Sequence, residues 1–176
     1  MATALWKRID REGHDAALIS HDGDELRLEG MAVIGLPAGR AWVSYQVSVL
    51  DERVFARVEA EMAGQRHVHR IRRDARGWSL NGRPMGLGHL RHLHFTFTPA
   101  THALDLHRAG PQIRHSVGIP AAQFDLGQPR LAEWPQHYRR KDDLNYDYEA
   151  PDWSGPLRFD GDGFLSDQPG FWKREG

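Results

Sequence analysis

Ala41-Trp42-Val43-Ser44-Tyr45-Gln46-Val47-Ser48-Val49-Leu50 is followed, after Asp51-Glu52, by Arg53-Val54-Phe55-Ala56-Arg57-Val58-Glu59-Ala60-Glu61-Met62. In the first run Val43, Tyr45, Val47 and Val49 alternate with Trp42, Ser44, Gln46 and Ser48. In the second, Val54, Ala56, Val58, Ala60 and Met62 alternate with Phe55, Arg57, Glu59 and Glu61. Successive side chains leave a strand on opposite sides, so a period of two marks a strand with one buried face. The short link between the runs predicts a hairpin.

Working outward, the pattern continues over Gln65 to Arg73, where His67, His69 and Ile71 share a face. Leu26 to Leu36 reads as an earlier strand, with Gly30 and Gly35 as bends or bulges. Trp78 to Leu80 runs into a turn at Asn81-Gly82. His89 to Thr98 alternates again. His102 to His107 and Gln112 to Ile119 read as short strands, followed by Trp134 to Arg140 and Asp143 to Glu149. Pro156 to Phe159 and Phe164 to Ser166 flank the turn Asp160-Gly161-Asp162-Gly163. No segment shows a capped 3.6-residue period, and Ala121 to Leu126 has room for one helical turn at most. About a dozen short strands with regularly spaced turns predict an all-β barrel or half-barrel. Neither a repeat nor a linker divides residues 1–176, so one domain is expected.

Composition narrows the function classes. The chain has 176 residues, 40% of them hydrophobic and 27% charged, with a net charge of −1. No global basic field attracts nucleic acid. Cysteine is absent, which removes disulfides and thiolate chemistry. The first ten residues lack the apolar core of a secretory signal, and no run approaches a membrane span. A cytoplasmic address is expected.

Candidate chemistry is sparse. Arg57, Arg70, Arg72 and Arg73 crowd neighbouring strands; on one face they would grip a phosphate or carboxylate. Pairing with Glu59 and Glu61 across the hairpin is the structural alternative. His67-Val68-His69 and His92-Leu93-His94 are each His-X-His on a strand, which sets two imidazoles on one face. If His67, His69, His92 and His94 converged, they would suit a transition metal, in a metal-binding protein or a metal-dependent enzyme. Asp160-Gly161-Asp162-Gly163 lacks the distal Glu of a calcium loop. There is no nucleophile elbow, phosphate-binding glycine loop or His-Glu-X-X-His, so no enzyme class and no cofactor follow. Exposed strand edges or the Trp-rich C-terminus leave a protein-interaction module open as a further reading.

Three segments together resemble a known family: Asp74-Ala75-Arg76-Gly77-Trp78-Ser79-Leu80-Asn81-Gly82-Arg83-Pro84, Phe95-Thr96-Phe97-Thr98-Pro99-Ala100-Thr101, and the stretch from Phe159 to Arg174. Gln136-His137-Tyr138 and Tyr146-Asp147-Tyr148-Glu149 fit as well. In this order they resemble the bacterial "Putative glycolipid-binding" family, formerly a family of unknown function. Two stretches depart from the family pattern: His102-Ala103-Leu104-Asp105-Leu106-His107-Arg108, and the basic His89-Leu90-Arg91-His92-Leu93-His94. If the latter lines a pocket, the ligand preferred here is more anionic than in relatives.

The resemblance implies a strongly curved antiparallel sheet, similar in outline to bacterial lipoprotein carriers. It also implies an amphipathic ligand such as a glycolipid. The small inward residues Val43, Val47, Val54, Ala56, Val58 and Ala60 leave either a packed core or an apolar cavity inside the sheet. On the cavity reading, Arg57, Arg72, Trp78, Asn81 and Thr98 are the candidates to orient the head group.

Overall fold

The computed structural model describes residues 1–175. In chain order the elements are β1 (Ala2–Arg8), β2 (Gly13–Asp22), β3 (Glu25–Leu36), β4 (Gly39–Leu50), β5 (Arg53–Met62), β6 (Gln65–Asp74), β7 (Gly77–Leu80), β8 (Arg83–Pro84) and β9 (His92–Phe95). Then come α1 (Thr101–Ala109), β10 (Ser116–Gly118), β11 (Ala121–Asp125), β12 (Arg130–Trp134), β13 (His137–Arg140), β14 (Asn145–Glu149), β15 (Ser154–Phe159), β16 (Leu165–Gln168) and β17 (Trp172–Arg174).

Fourteen strands form one antiparallel sheet in the order β10-β13-β14-β15-β16-β17-β1-β2-β3-β4-β5-β6-β7-β8. Its end strands, β8 and β10, do not pair, so the sheet curls without closing. A second sheet, β12-β11-β9, contains one parallel pair, β11 with β9. The expected hairpin is present: Val43 faces Ala60, Tyr45 faces Val58 and Val47 faces Ala56. β1 and β2, which the periodicity reading passed over, occupy the middle of the large sheet.

One face of the large sheet is dry. Val43, Tyr45, Val47, Val49, Val54, Ala56, Val58 and Ala60 are all buried. Their cover comes from the segment between β8 and β12. Phe95 and Phe97 pack edge-on against Tyr45, and Phe124 packs against Phe95 and His69. Leu90, Leu104 and Leu126 join the same core. The space inside the curled sheet is thus filled by side chains, in place of the inner ligand cavity that the small residues also allowed.

Three local readings change. His102 to His107 is helical, within α1. Its alternation of His102, Leu104 and Leu106 imitates a strand, but Thr101, His102, Ala103, Leu104 and Asp105 are all buried in succession. No single face accounts for five such residues; the first half of the helix is wrapped on all sides while His107 is exposed, and tertiary burial overrides the weak local period. Ala121 to Leu126 holds strand β11 rather than a helical turn. The run from Trp134 to Arg140 is cut at Pro135, which has no N–H for the ladder, and its halves join different sheets.

Gly30 is neither a bend nor a bulge, since the ladders on both sides of β3 run through it without a shift. A Cβ placed there would collide with the ring of Tyr45, its partner on β4. The glycine is a hole in the inner face that the phenol fills.

Candidate ligand-binding site

A concavity of about 830 Å³ lies on the other face of the large sheet. The register sets two adjacent rows of outward side chains along it. One runs Leu5, Ala16, Met31, Ser44, Glu59 from β1 to β5, and the next runs Thr3, Leu18, Glu29, Gln46, Arg57. All ten line the groove. Ala16 and Ser44 are small beside Leu5, Leu18 and Met31, so the rows dip between larger neighbours. Within the two rows the character grades from mainly apolar on β1–β3 to polar and charged on β4 and β5, and Arg174 and Glu175 line the groove beyond β1. A volume in the range of small-molecule pockets, an apolar floor and a few convergent polar groups is the usual make-up of a ligand site.

The charged end is organised. Arg57 pairs with Glu59, and Arg66 reaches the same carboxylate. Arg66, with Arg57 and Arg70 nearby, holds the Glu59 carboxyl below its ordinary value. At the opposite end Arg174 pairs with Asp160 and donates to the Thr3 carbonyl at 2.9 Å, while Glu175 lies 3.5 Å from His14.

Of the five head-group candidates, Arg57 alone lines this groove. Arg72 is exposed on the same face, opposite Phe55. Trp78 is buried and its Nε1 donates to the Leu90 carbonyl at 2.8 Å. Asn81 takes a left-handed backbone, and its Oδ1 accepts from the Arg70 amide at 2.8 Å. Thr98 is buried on the inner face, where its hydroxyl bonds Asp15 and Tyr45 and accepts from the Ala100 amide. Trp78, Asn81 and Thr98 therefore commit polar groups to the fold itself.

Asp15 is the unusual member of that inner cluster. It is 1% exposed and has no cationic partner among the described residues. The Tyr45 phenol donates to Oδ2 at 3.0 Å and Thr98 donates to the same oxygen. Burial pushes its pKa up to about 7, and the two hydroxyl bonds only partly offset that.

The histidines do not meet as the His-X-His pattern allows. His67 and His69 lie on β6; His69 packs on Phe124 with neither ring nitrogen hydrogen-bonded, and burial lowers its pKa. His92 and His94 lie on β9 in the smaller sheet. Among the described residues, the ligating atoms that converge within 4.8 Å belong to His94, His102 and Asp105. Their neighbours already use most of the ligating atoms. His92 Nδ1 sits 3.1 Å from Asp105 Oδ1, while Gln136 Nε2 and the Tyr138 hydroxyl donate to Oδ2 at 2.7 and 3.2 Å. His102 Nδ1 is 2.6 Å from the Tyr138 hydroxyl, and Tyr148 donates to Gln136 Oε1 at 2.9 Å. The result is a buried hydrogen-bonded network that ties α1 and β9 to β13 and β14. Desolvation keeps His102 well below, and His94 below, the ordinary imidazole value, so both are neutral near pH 7. His102 and Asp105 escape a strand reading because they share a face only on a helix, at a spacing of three.

Comparison with known proteins adds the following. A family model described as "Putative glycolipid-binding" matches residues 3–174. A solved structure of a DUF1089 family protein from Pseudomonas aeruginosa superposes with a TM-score of 0.78 at 18% identity, covering 92% of each chain. At that identity the likeness concerns the fold. No curated protein matches the chain. Among the described residues no helix is long and apolar enough to cross a membrane.

Proposed function

The chain belongs to the family described as "Putative glycolipid-binding", and from that premise we propose that its outer groove holds an amphipathic molecule of the glycolipid class. The observation that carries this is the graded character of the two rows. Leu5, Ala16, Leu18 and Met31 offer an acyl chain a floor on β1–β3, and Ser44, Gln46, Arg57 and Glu59 offer a hydroxylated or charged head group partners on β4 and β5. Sugar hydroxyls both donate and accept, and the set of Ser, Gln, Arg and Glu supplies both roles. The inner face has no comparable room, because the aromatic side chains of β9, β11 and the Phe97 loop fill it.

Native mass spectrometry of protein purified without detergent, with lipid extraction in parallel, tests the reading. A co-purifying amphipath that is lost in Leu18→Glu is the expected result. Retention of the same lipid by that variant would move the site elsewhere, and wild-type protein that takes up no lipid would defeat the proposal.

A further inference from the structure

The outer face continues past the groove onto β5 and β6, and there its composition changes. Arg53, Phe55 and Arg57 point outward on β5, and Arg70 and Arg72 do so on β6. Arg57 stands directly opposite Arg70, and Phe55 directly opposite Arg72. Phe55 is 44% exposed. It has an arginine two residues before and after it on its own strand, one across from it, and one on the diagonal. Arg57 is paired with Glu59, but Arg53, Arg70 and Arg72 form no ion pair among the described residues.

This arrangement is poor for the fold taken alone. Like charges directly opposite on neighbouring strands repel, and Glu59, the carboxylate beside them on β5, is already shared by Arg57 and Arg66, while the outward residues of β6 from Arg66 to Arg72 include no carboxylate. An aromatic ring held in water among cations gains little. Both costs are relieved by one kind of partner: a layer of phosphates with apolar material beneath it. Guanidinium groups take phosphate oxygens in a bidentate fork, and an aromatic ring favours the boundary between head groups and acyl chains.

We propose that the β5–β6 outer face docks this protein on an anionic phospholipid surface, with Arg53, Arg70 and Arg72 on lipid phosphates and Phe55 at the acyl boundary. The choice of a lipid surface over another polyanion rests on the amphipathic-ligand reading of the groove. It is favoured by further exposed apolar residues on the same face, Met31, Val33 and Trp42, which a nucleic acid backbone would leave unused. Arg57 belongs to both features, so the docking patch opens directly onto the polar end of the groove. A lipid could pass from the surface to the groove without crossing the core.

Each arginine close to an anionic membrane is worth roughly a fivefold gain in partitioning, and salt removes it. Flotation of the full chain with phosphatidylcholine vesicles, with and without phosphatidylglycerol, is the test. Binding is expected only with phosphatidylglycerol and should fall steeply with salt. The double variant Arg70→Gln/Arg72→Gln should weaken it about 25-fold. Phe55→Ser should lower the binding that survives at high salt. These are exposed positions, and a circular dichroism spectrum confirms that each variant is folded. Equal binding to neutral vesicles, or no binding to anionic ones, overturns the inference. So does tighter binding to a single-stranded oligonucleotide than to vesicles. Leu18→Glu separates the two ideas. If it loses co-purifying lipid and still floats, docking stands on its own. Wild-type protein that carries lipid and does not float sinks docking alone; protein that floats and carries no lipid sinks the groove alone.

Discussion

Gly30 on β3 and Tyr45 on β4 stand directly opposite each other, and the missing side chain of the glycine is the space that the tyrosine ring occupies. Through that space the phenol crosses β3 and bonds Asp15 on β2, 3.0 Å from Oδ2. Three neighbouring strands and the Thr98 loop are thereby held at one buried point.

Gly30→Ala should therefore be destabilising although alanine is tolerated in strands. The new Cβ meets the Tyr45 ring and lies 2.7 Å from the Ala16 carbonyl oxygen, so both the ring and the β2–β3 spacing must give. A cost of about 1–3 kcal/mol is typical of overpacking. Urea denaturation reads it directly, and an unchanged midpoint would contradict the packing described.

Asp15 predicts a pH dependence with a definite sign. Its folded pKa, about 7, lies above the ordinary carboxyl value of 3.8, so the folded state holds the proton more tightly. The favourable contribution is fully present below about pH 3.8 and is lost as pH rises to about 7. In Asp15→Asn the uncharged form is permanent. The stability of the variant relative to wild type should rise across that interval by on the order of 4 kcal/mol and be flat above it. Denaturation curves of both proteins from pH 4 to 8 check this, and a constant difference would place the charge outside the core.

Tyr138 is the hub of the second buried network. Tyr138→Phe leaves His102 Nδ1 without its 2.6 Å partner and removes one of the bonds to Asp105 Oδ2. The expected loss is about 1–3 kcal/mol. The imidazoles of His94 and His102 are depressed by burial, so the stability they confer is present above pH 6.5 and is lost as pH falls below it. His102→Gln should blunt that acid-side loss in thermal melts taken between pH 7 and 5.

Phe124→Ala tests whether the inner face is a packed core. Phe124 touches Phe95 and His69 and is fully buried. Truncation should cost about 3–5 kcal/mol, as for core aromatics in general. A loss below about 1 kcal/mol would mean that the inner space is loosely filled and could hold a ligand after all.

The hairpin of β4 and β5, the face that β6 buries and the all-β class were legible because strand periodicity is a local property. Val43, Tyr45, Val47 and Val49 announce a buried face within ten residues of chain. The three motifs from Asp74, Phe95 and Phe159 onward likewise carried the family, since their order is itself sequence information. The site was less legible. Arg57 and Arg72 stand out by crowding on adjacent strands, and both lie on the outer face. Trp78, Asn81 and Thr98 lie in the same motifs, and each bonds the protein's own backbone or core.

What the sequence determined by itself was which side chains share a face along the long strands, and that the runs Ala41–Leu50 and Arg53–Met62 pair as a hairpin. Only the tertiary structure decided which face is covered. Residues 90–126 return to pack Phe95, Phe97, Phe124 and α1 against the inner side, and that long-range cover closes the space that small inward residues left open. The groove is left on the opposite face for the same reason. Alternation names two faces but is symmetric between core and surface, and the volume brought by a distant segment breaks that symmetry.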